Sequence, residues 1–309
     1  MTHYHHHQYD SQGTLGSRLL LAMLINLFIP AAQIAGGIVA GSVALISDAV
    51  HNLSDFTALA IAYAADKAGR KGPTLRHTFG LQRLEILAAV VNAVLLGAAS
   101  VYITVEALER LAHPAAVAVD LVAGLALVGI VGNGLSAWLL YRDSSHNLNA
   151  RGAFLHMLGD MLTSVAVLVG ALVMRFFELP WLDPVLSLGI VVYIVWNAVA
   201  LLKEAIHVLM NGTPRGLDLE ALQSEVEAIE GVDGLHHLHA WSTGNGTLAL
   251  TGHVVVPDQM VSATESLAAA IEGVLSEKFG IDHPVLQFET RECGQGELLC
   301  RRGCETTRS

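Results

Sequence analysis

Six long apolar stretches run through the first two thirds of the chain, at about residues 18–40, 42–67, 82–111, 116–141, 150–175 and 181–208, each separated from the next by a short polar segment. A helix of that length crosses the ~30 Å hydrocarbon layer of a bilayer, so the pattern predicts six transmembrane helices. Many of the stretches are rich in Gly and Ala, which suits close helix packing in lipid. After Met210 the pattern changes, and residues 212–290 contain no spanning stretch. LDLEALQSEVEAIEG places Leu219, Leu222, Val226 and Ile229 at helical spacing, and VSATESLAAAIEGVLSEKFG reads as a second amphipathic helix. LHHLHAWST and LALTGHVVVP alternate in the manner of strands, and HPVLQFET reads as a last short strand. The order αββαβ predicts a small two-layer α+β domain. The chain thus divides into a His-rich N-terminal arm (1–17), a six-helix transmembrane domain (18–210), an α+β domain (211–290) and a Cys-containing tail (291–309).

Composition agrees with the membrane class. Hydrophobic residues make up 53% and charged residues 15%, where a soluble domain carries about a quarter charged residues. The formal net charge of −11 argues against a dominant basic patch and a nucleic-acid partner. The start, MTHYHHHQYD, is polar, with no apolar run before Arg18 and no secretory signal. Basic residues set the orientation. Lys67, Arg70, Lys71, Arg76 and Arg83 lie between the second and third stretches, Arg142 and Arg151 between the fourth and fifth, and Lys203 and Arg215 after the sixth. The opposite side carries only Arg110 and Arg175. Both termini are therefore placed in the cytosol.

Ionisable groups inside a spanning helix cost about 2.5–3.5 kcal/mol each on insertion scales and point to function. The second stretch contains HNLSD and the fifth HMLGD, so His51/Asp55 and His156/Asp160 each sit at i and i+4 on one face. The two pentads form the clearest internal repeat of the chain, and their helices run antiparallel, as in an inverted repeat with a midplane site. At 1.5 Å per residue, Asp55 lies about 18 Å and Asp160 about 15 Å from the cytosolic ends of their helices. Two imidazoles and two carboxylates make an N₂O₂ set suited to tetrahedral zinc, cobalt or cadmium rather than magnesium or calcium. The bland alternative is a pair of His–Asp locks between helices, although polar glue in membranes is usually uncharged. Asp48, three residues before His51, either lines an exit vestibule or caps local backbone.

GSVALISDAVHNLSD, RHTFGLQRLEILAA, RGAFLHMLGD, and LHHLHAWS followed by GHVVV together resemble the cation diffusion facilitator family, on its zinc-transporter (ZnT/CzcD-like) branch. The resemblance covers nearly the whole chain. It implies a homodimer, a cytosolic domain of ferredoxin-like fold and exchange of metal for protons. His-x-x-x-Asp on both helices is similar to the zinc-preferring branch. His237, His253, His283 and Glu289 match the family's cytosolic metal-binding positions near the dimer interface. In the strand LHHLHAW, 237 and 239 share one face and 236 and 238 the other. Some members bind a second metal in the loop between helices two and three. Here that loop holds Asp66 and His77, with Leu81 where a second His would fall, so a solvated basic loop is the competing reading. The loop between helices four and five lacks the His-rich run of many eukaryotic vesicular members, which places the protein in a bacterial inner (plasma) membrane.

The sequence therefore predicts a transporter, not an enzyme. Zn²⁺ is its exported substrate and also a regulatory ion, and its partners are a second copy, the bilayer, zinc and protons. Metal ligands must be deprotonated to bind, and His titrates nearest cytosolic pH, so His51 and His156 are the candidate proton carriers. A broader Zn/Cd/Co efflux protein is the alternative. A membrane metalloenzyme would need an open coordination position and a general base beside it, and no HExxH is present. A membrane-anchored metal sensor needs one or two spans rather than six. Cys293, Cys300 and Cys304 have spacings unlike a zinc finger; with His3, His5, His6 and His7 they read either as metal-collecting arms or as plain polar tails.

Overall fold

The computed structural model describes residues 9–69, 72–141, 148–244, 246–291 and 298–299. The N-terminal histidines and all three cysteines lie outside them. The chain forms two compact units, Met1–Ile61 with Val91–Leu202, and Ala62–Val90 with Lys203–Ser309.

Six long helices make up the first unit, apart from residues 62–69, 84–90 and 203–209 of three of them, which fall in the second: α1 (Tyr9–Ala40), α2 (Val43–Gly69), α3 (Leu84–Ala112), α4 (Val119–Tyr141), α5 (Leu148–Phe177) and α6 (Leu182–Leu209). Among the described residues, four segments are long and apolar enough to cross a membrane: Leu84–Ala112, Val119–Leu139, Phe154–Phe177 and Leu182–Leu209. Leu24–Ala40 of α1 is a shorter apolar helix. The helix α2 has spanning length but carries Asp48, His51 and Asp55 along it, which lowers its hydropathy. The helix α1 starts at Tyr9, ahead of the apolar stretch, because backbone bonding continues into polar sequence. Asp66, expected in a loop, lies within α2.

All six helices contribute to one buried cluster: Ala40, Ala44, Leu45, Leu96, Val122, Ala126, Val167, Ala171, Ile190 and Ile194. Most of these side chains are small or β-branched, so the helices approach closely. A Cβ at Gly132 of α4 would collide with Ile29 of α1. The large apolar side chains Val39, Val101, Tyr102, Trp138, Leu162 and Trp196 remain exposed, as hydrocarbon solvent permits and water would not. Between α1 and α2 the chain reverses at Gly41, whose φ of 67° suits a residue without a Cβ.

Polar contacts seat α2 against α6. Asp183, buried at 1% exposure, accepts from the Ser42 hydroxyl at 2.5 Å and from the Val43 backbone N–H at 2.7 Å. A carboxylate from one helix thus caps the first turn of another, satisfying amides that would otherwise be orphaned. One turn on, the Ser47 and Ser187 hydroxyls meet at 2.7 Å.

The second unit contains α7 (Leu219–Glu227), β1 (Gly234–Gly244), β2 (Thr247–Val255), α8 (Val261–Phe279) and β3 (His283–Glu289). The expected αββαβ order is present, with three strands among the described residues where a full ferredoxin-like sheet has four. The sheet order is β1-β2-β3. The pair β1/β2 is antiparallel and β2/β3 parallel, and α8 supplies the crossover that parallel pairing requires. Asp218 caps α7 by accepting from the Glu220 and Ala221 N–H groups at 3.0 Å. Leu222, Val226, Leu238, Leu250, Val254, Ile271 and Leu275 form the core. The loop after α2 belongs to this unit: Thr243 donates to Gln82 at 2.6 Å, and the Phe79 ring lies edge-on to His283 at 5.5 Å.

Strict alternation fails in β1. His236 pairs with His253, and the next pair is His239 with Thr251, so three steps on β1 oppose two on β2. The extra residue is absorbed at His237, whose φ is 53°, a bulge with a non-Gly residue in the left-handed region. The Leu238 N–H donates instead to the Leu298 carbonyl at 2.9 Å.

The Asp183 cap gives a direct test. Asp183→Ala is expected to destabilise the purified protein by about 2 kcal/mol, the scale of a lost charged cap, while Asp183→Asn recovers part of it. Thermal unfolding in detergent measures both.

Candidate metal centre

The α2 and α5 pentads converge. His51 Nε2 lies 3.5 Å from Asp160 Oδ1, and His51 Nδ1 lies 3.4 Å from Asp55 Oδ2. His156 Nε2 lies 3.3 Å from Asp55 Oδ2 and 3.7 Å from Asp160 Oδ2. The four residues close a ring in which imidazole and carboxylate alternate, with α2 and α5 each supplying one of each. One ligand atom from each of His51, Asp55 and Asp160 lies within 4.8 Å of the other two. Asp160 and His51 are buried, at 1% and 3% exposure, while the side chains of Asp55 and His156 are 26% and 39% exposed, leaving one side of the ring open.

These separations lie beyond the 2.7–3.2 Å range in which hydrogen bonds cluster, and the contacts become ion pairs when the imidazoles are protonated. Among the described residues, both ring nitrogens of His51, Oδ2 of Asp55 and both oxygens of Asp160 are buried without a hydrogen-bond partner. Buried polar atoms are nearly always satisfied, so a cluster of such atoms needs a chemical reason. A divalent metal supplies one. In a tetrahedron the ligand–ligand edge is about 1.63 times the bond, or about 3.3–3.5 Å for zinc bound to N and O. Taken singly, the N···O separations are of that order, but His51 faces Asp55 through Nδ1 and Asp160 through Nε2, so one ion takes only one of its nitrogens, and the ligand atoms that lie together are those of His51, Asp55 and Asp160.

Two further residues shape this site. Tyr193 of α6 stands edge-on to His51 with ring centroids 5.7 Å apart, and its hydroxyl lies 3.5 Å from where a Cβ on Gly159 would be. Sequence reasoning missed Tyr193; its only signal was a hydroxyl in the apolar middle of α6. Among the described residues, the Asp48 side chain takes hydroxyls rather than backbone groups as its hydrogen-bond partners. Its two oxygens accept from Thr163 Oγ1 at 2.6 Å and Ser164 Oγ at 2.7 Å.

A second cluster lies in the C-terminal domain. Glu289 Oε1 is 2.9 Å from His236 Nε2, and its Oε2 is 3.2 Å from His253 Nδ1. The ligand atoms of His236, His253 and Glu289 all lie within 4.8 Å of one another. Of the expected set, His253 and Glu289 therefore meet, and His237 stacks on His253 at 4.7 Å. His283 is at the other end of β3, six residues from Glu289, or about 20 Å along a strand. His236, expected on the face opposite His237, joins the cluster because the bulge brings consecutive histidines to the same neighbour. Burial, then the nearby His253, His239 and His236, hold the His237 ring below its ordinary pKa. His77 is exposed and belongs to neither donor cluster found among the described residues.

Residues 19–210 match the cation efflux transmembrane domain, and residues 214–291 match the cation efflux protein cytoplasmic domain. The chain belongs to the cation efflux family. Members of this family are transporters, not enzymes, and this one is a membrane protein of metal cation efflux. It is 37% identical, over 100% of its length and 98% of the relative, to a "Cadmium, cobalt and zinc/H(+)-K(+) antiporter" of Bacillus velezensis. It is 35% identical, over 95% of its length and 94% of the relative, to the "Zinc transporter ZitB" of Escherichia coli. Among solved structures, the metal-bound C-terminal domain of the CzcD transporter from Cuprividus metallidurans is 34% identical, with a TM-score of 0.22, covering 24% of this chain and 99% of that one.

The geometry of the second cluster separates His236 from His283. In full-length protein carrying Asp160→Ala in the α2–α5 cluster, His236→Ala and Glu289→Ala are each expected to weaken zinc binding at least about tenfold. His283→Ala should change it little. Zinc titration by calorimetry decides between them.

Proposed function

We propose that this cation efflux protein exports Zn²⁺ from the cytosol by exchange for protons, through a four-coordinate site formed by His51, Asp55, His156 and Asp160. The observation that carries the reading is the ring of two imidazoles and two carboxylates at 3.3–3.7 Å, with buried donor atoms that no hydrogen bond satisfies. The donor set favours a borderline cation over magnesium or calcium. Because one pair comes from α2 and the other from α5, a relative movement of these helices opens or closes the coordination shell. Metal and protons compete for the same four groups, so arrival of one favours departure of the other. The termini face the cytosol and the protein resides in the plasma membrane on this reading. The C-terminal domain pairs two protomers, and zinc at its histidine cluster tunes transport. A broader zinc, cadmium and cobalt substrate range is the second reading, favoured by the name of the Bacillus relative.

Two experiments test the proposal in vesicles. Asp55→Ala or Asp160→Ala should abolish zinc flux while the protein stays folded, since Ala is sterically mild in a helix; wild-type flux in Asp160→Ala would remove the assignment. Zinc efflux by the unmodified protein should accelerate as the opposite side is acidified, and a pH dye should report lumenal alkalinisation during zinc uptake. Flux indifferent to the proton gradient would leave a uniport. Selectivity is read in the same assay: His51→Asp replaces a single-nitrogen donor with a carboxylate that can bind through one or two oxygens, which loosens the four-coordinate set toward larger ions and should raise cadmium flux relative to zinc.

A further inference from the structure

We propose that Asp48 is a positioning residue of the transport site, a clamp that holds the α2 and α5 ligand pairs in register. The inference rests on the four-residue site proposed above. Asp48 lies three residues before His51, and Thr163 and Ser164 lie three and four residues after Asp160. His51 approaches Asp160, and Asp48 meets Thr163 and Ser164. A step backward on α2 thus matches a step forward on α5, and the clamp sits one helical turn from the ligand ring.

The buried carboxylates differ in how they are satisfied. Asp160 has two oxygens without a hydrogen-bond partner. Asp48 is 0% exposed, and each of its oxygens accepts a hydroxyl, at 2.6 and 2.7 Å. The first arrangement suits a ligand and the second a structural acceptor. The single Thr163 hydroxyl hydrogen faces both Asp48 Oδ1 and the Asp160 carbonyl oxygen, with Oγ1 at 2.6 and 2.8 Å from them, so Asp48 is held beside the turn of α5 that carries Asp160. No Lys or Arg neutralises Asp48 among the interactions of the described residues; His51 and Asp160 are the titratable groups that face it. A buried carboxylate is a costly way to join two helices, and it gives what an apolar contact cannot: a fixed distance and a fixed rotation about each helix axis. Partners that orient ligands without touching the metal typically change affinity by 10–100-fold.

The test uses full-length protein in lipid nanodiscs, carrying Glu289→Ala to weaken the C-terminal cluster, with Co²⁺ as a spectroscopic probe and Zn²⁺ by competition. Asp48→Ala and the double variant Thr163→Val/Ser164→Ala are expected to lower affinity roughly 10–100-fold and to weaken the visible bands of tetrahedral Co²⁺. In vesicles they should raise the half-saturating zinc concentration more than they lower the maximal rate. Asp48→Asn keeps the shape and can bond both hydroxyls, accepting one and donating to the other, so it should restore most of the affinity and spectrum. The double variant keeps the test alive if Asp48→Ala fails to fold. Wild-type affinity and spectrum in the double variant would overturn the clamp. So would an Asp48→Asn protein as impaired as Asp48→Ala, which would assign the role to the charge. Asp160→Ala, run in parallel, separates the two levels. If it retains Co²⁺ binding, the four-residue site is wrong and the clamp falls with it; if it loses binding while the Asp48 and hydroxyl variants keep theirs, only the clamp is wrong.

Discussion

Placing charge in hydrocarbon is the constraint on which the membrane unit depends. Asp48 and Asp183 meet it with hydroxyl and backbone donors, and the ring carboxylates Asp55 and Asp160 carry two negative charges that the bilayer interior cannot solvate. A dication compensates them, and so do two protons on the same residues. On the proposed reading this equivalence is the basis of exchange: each cargo is tolerated because it removes the charge left by the other. It also accounts for the mixed donor set. Four carboxylates would hold too much charge, and four imidazoles would leave the dication uncompensated.

The same constraint explains why α2 is the least apolar of the six helices. It carries Asp48, His51 and Asp55, so uniform apolar packing cannot by itself define its position. Directed contacts do that instead: the Asp183 cap and the Ser47–Ser187 pair from α6, and the Asp48 hydroxyl contacts from α5. Hydrogen bonds in lipid need not be strong to be useful here, since their value lies in fixing rotation and register. The surrounding core of small side chains then lets the helices come close enough for these short polar side chains to reach.

The C-terminal domain meets a different solvent and follows different rules. Its core is an ordinary aliphatic cluster between helices and sheet, and its chemistry sits at an irregularity in the sheet. The bulge at His237 interrupts the ladder, twists β1 and gathers His236, His237 and His253 around Glu289. Bulges commonly re-aim side chains in this way.

Much of this was legible in the sequence. The lengths of the apolar runs determined the six helices, because bilayer thickness dictates segment length, and the switch to alternating and amphipathic patterns marked the αββαβ domain. The His-x-x-x-Asp repeat pointed to His51, Asp55, His156 and Asp160, because charge inside a spanning helix is too costly to be incidental. Only the tertiary structure decided the rest. Asp48 could not be assigned from α2 alone, since its partners are 115 and 116 residues away on α5. Tyr193 had no spacing relation to the ligands. In β1, a period of two put His236 and His237 on opposite faces, and a single extra residue undid that rule. Periodicity reports which side of one element a residue occupies; which residues of different elements meet depends on register and crossing, and those are properties of the packed fold.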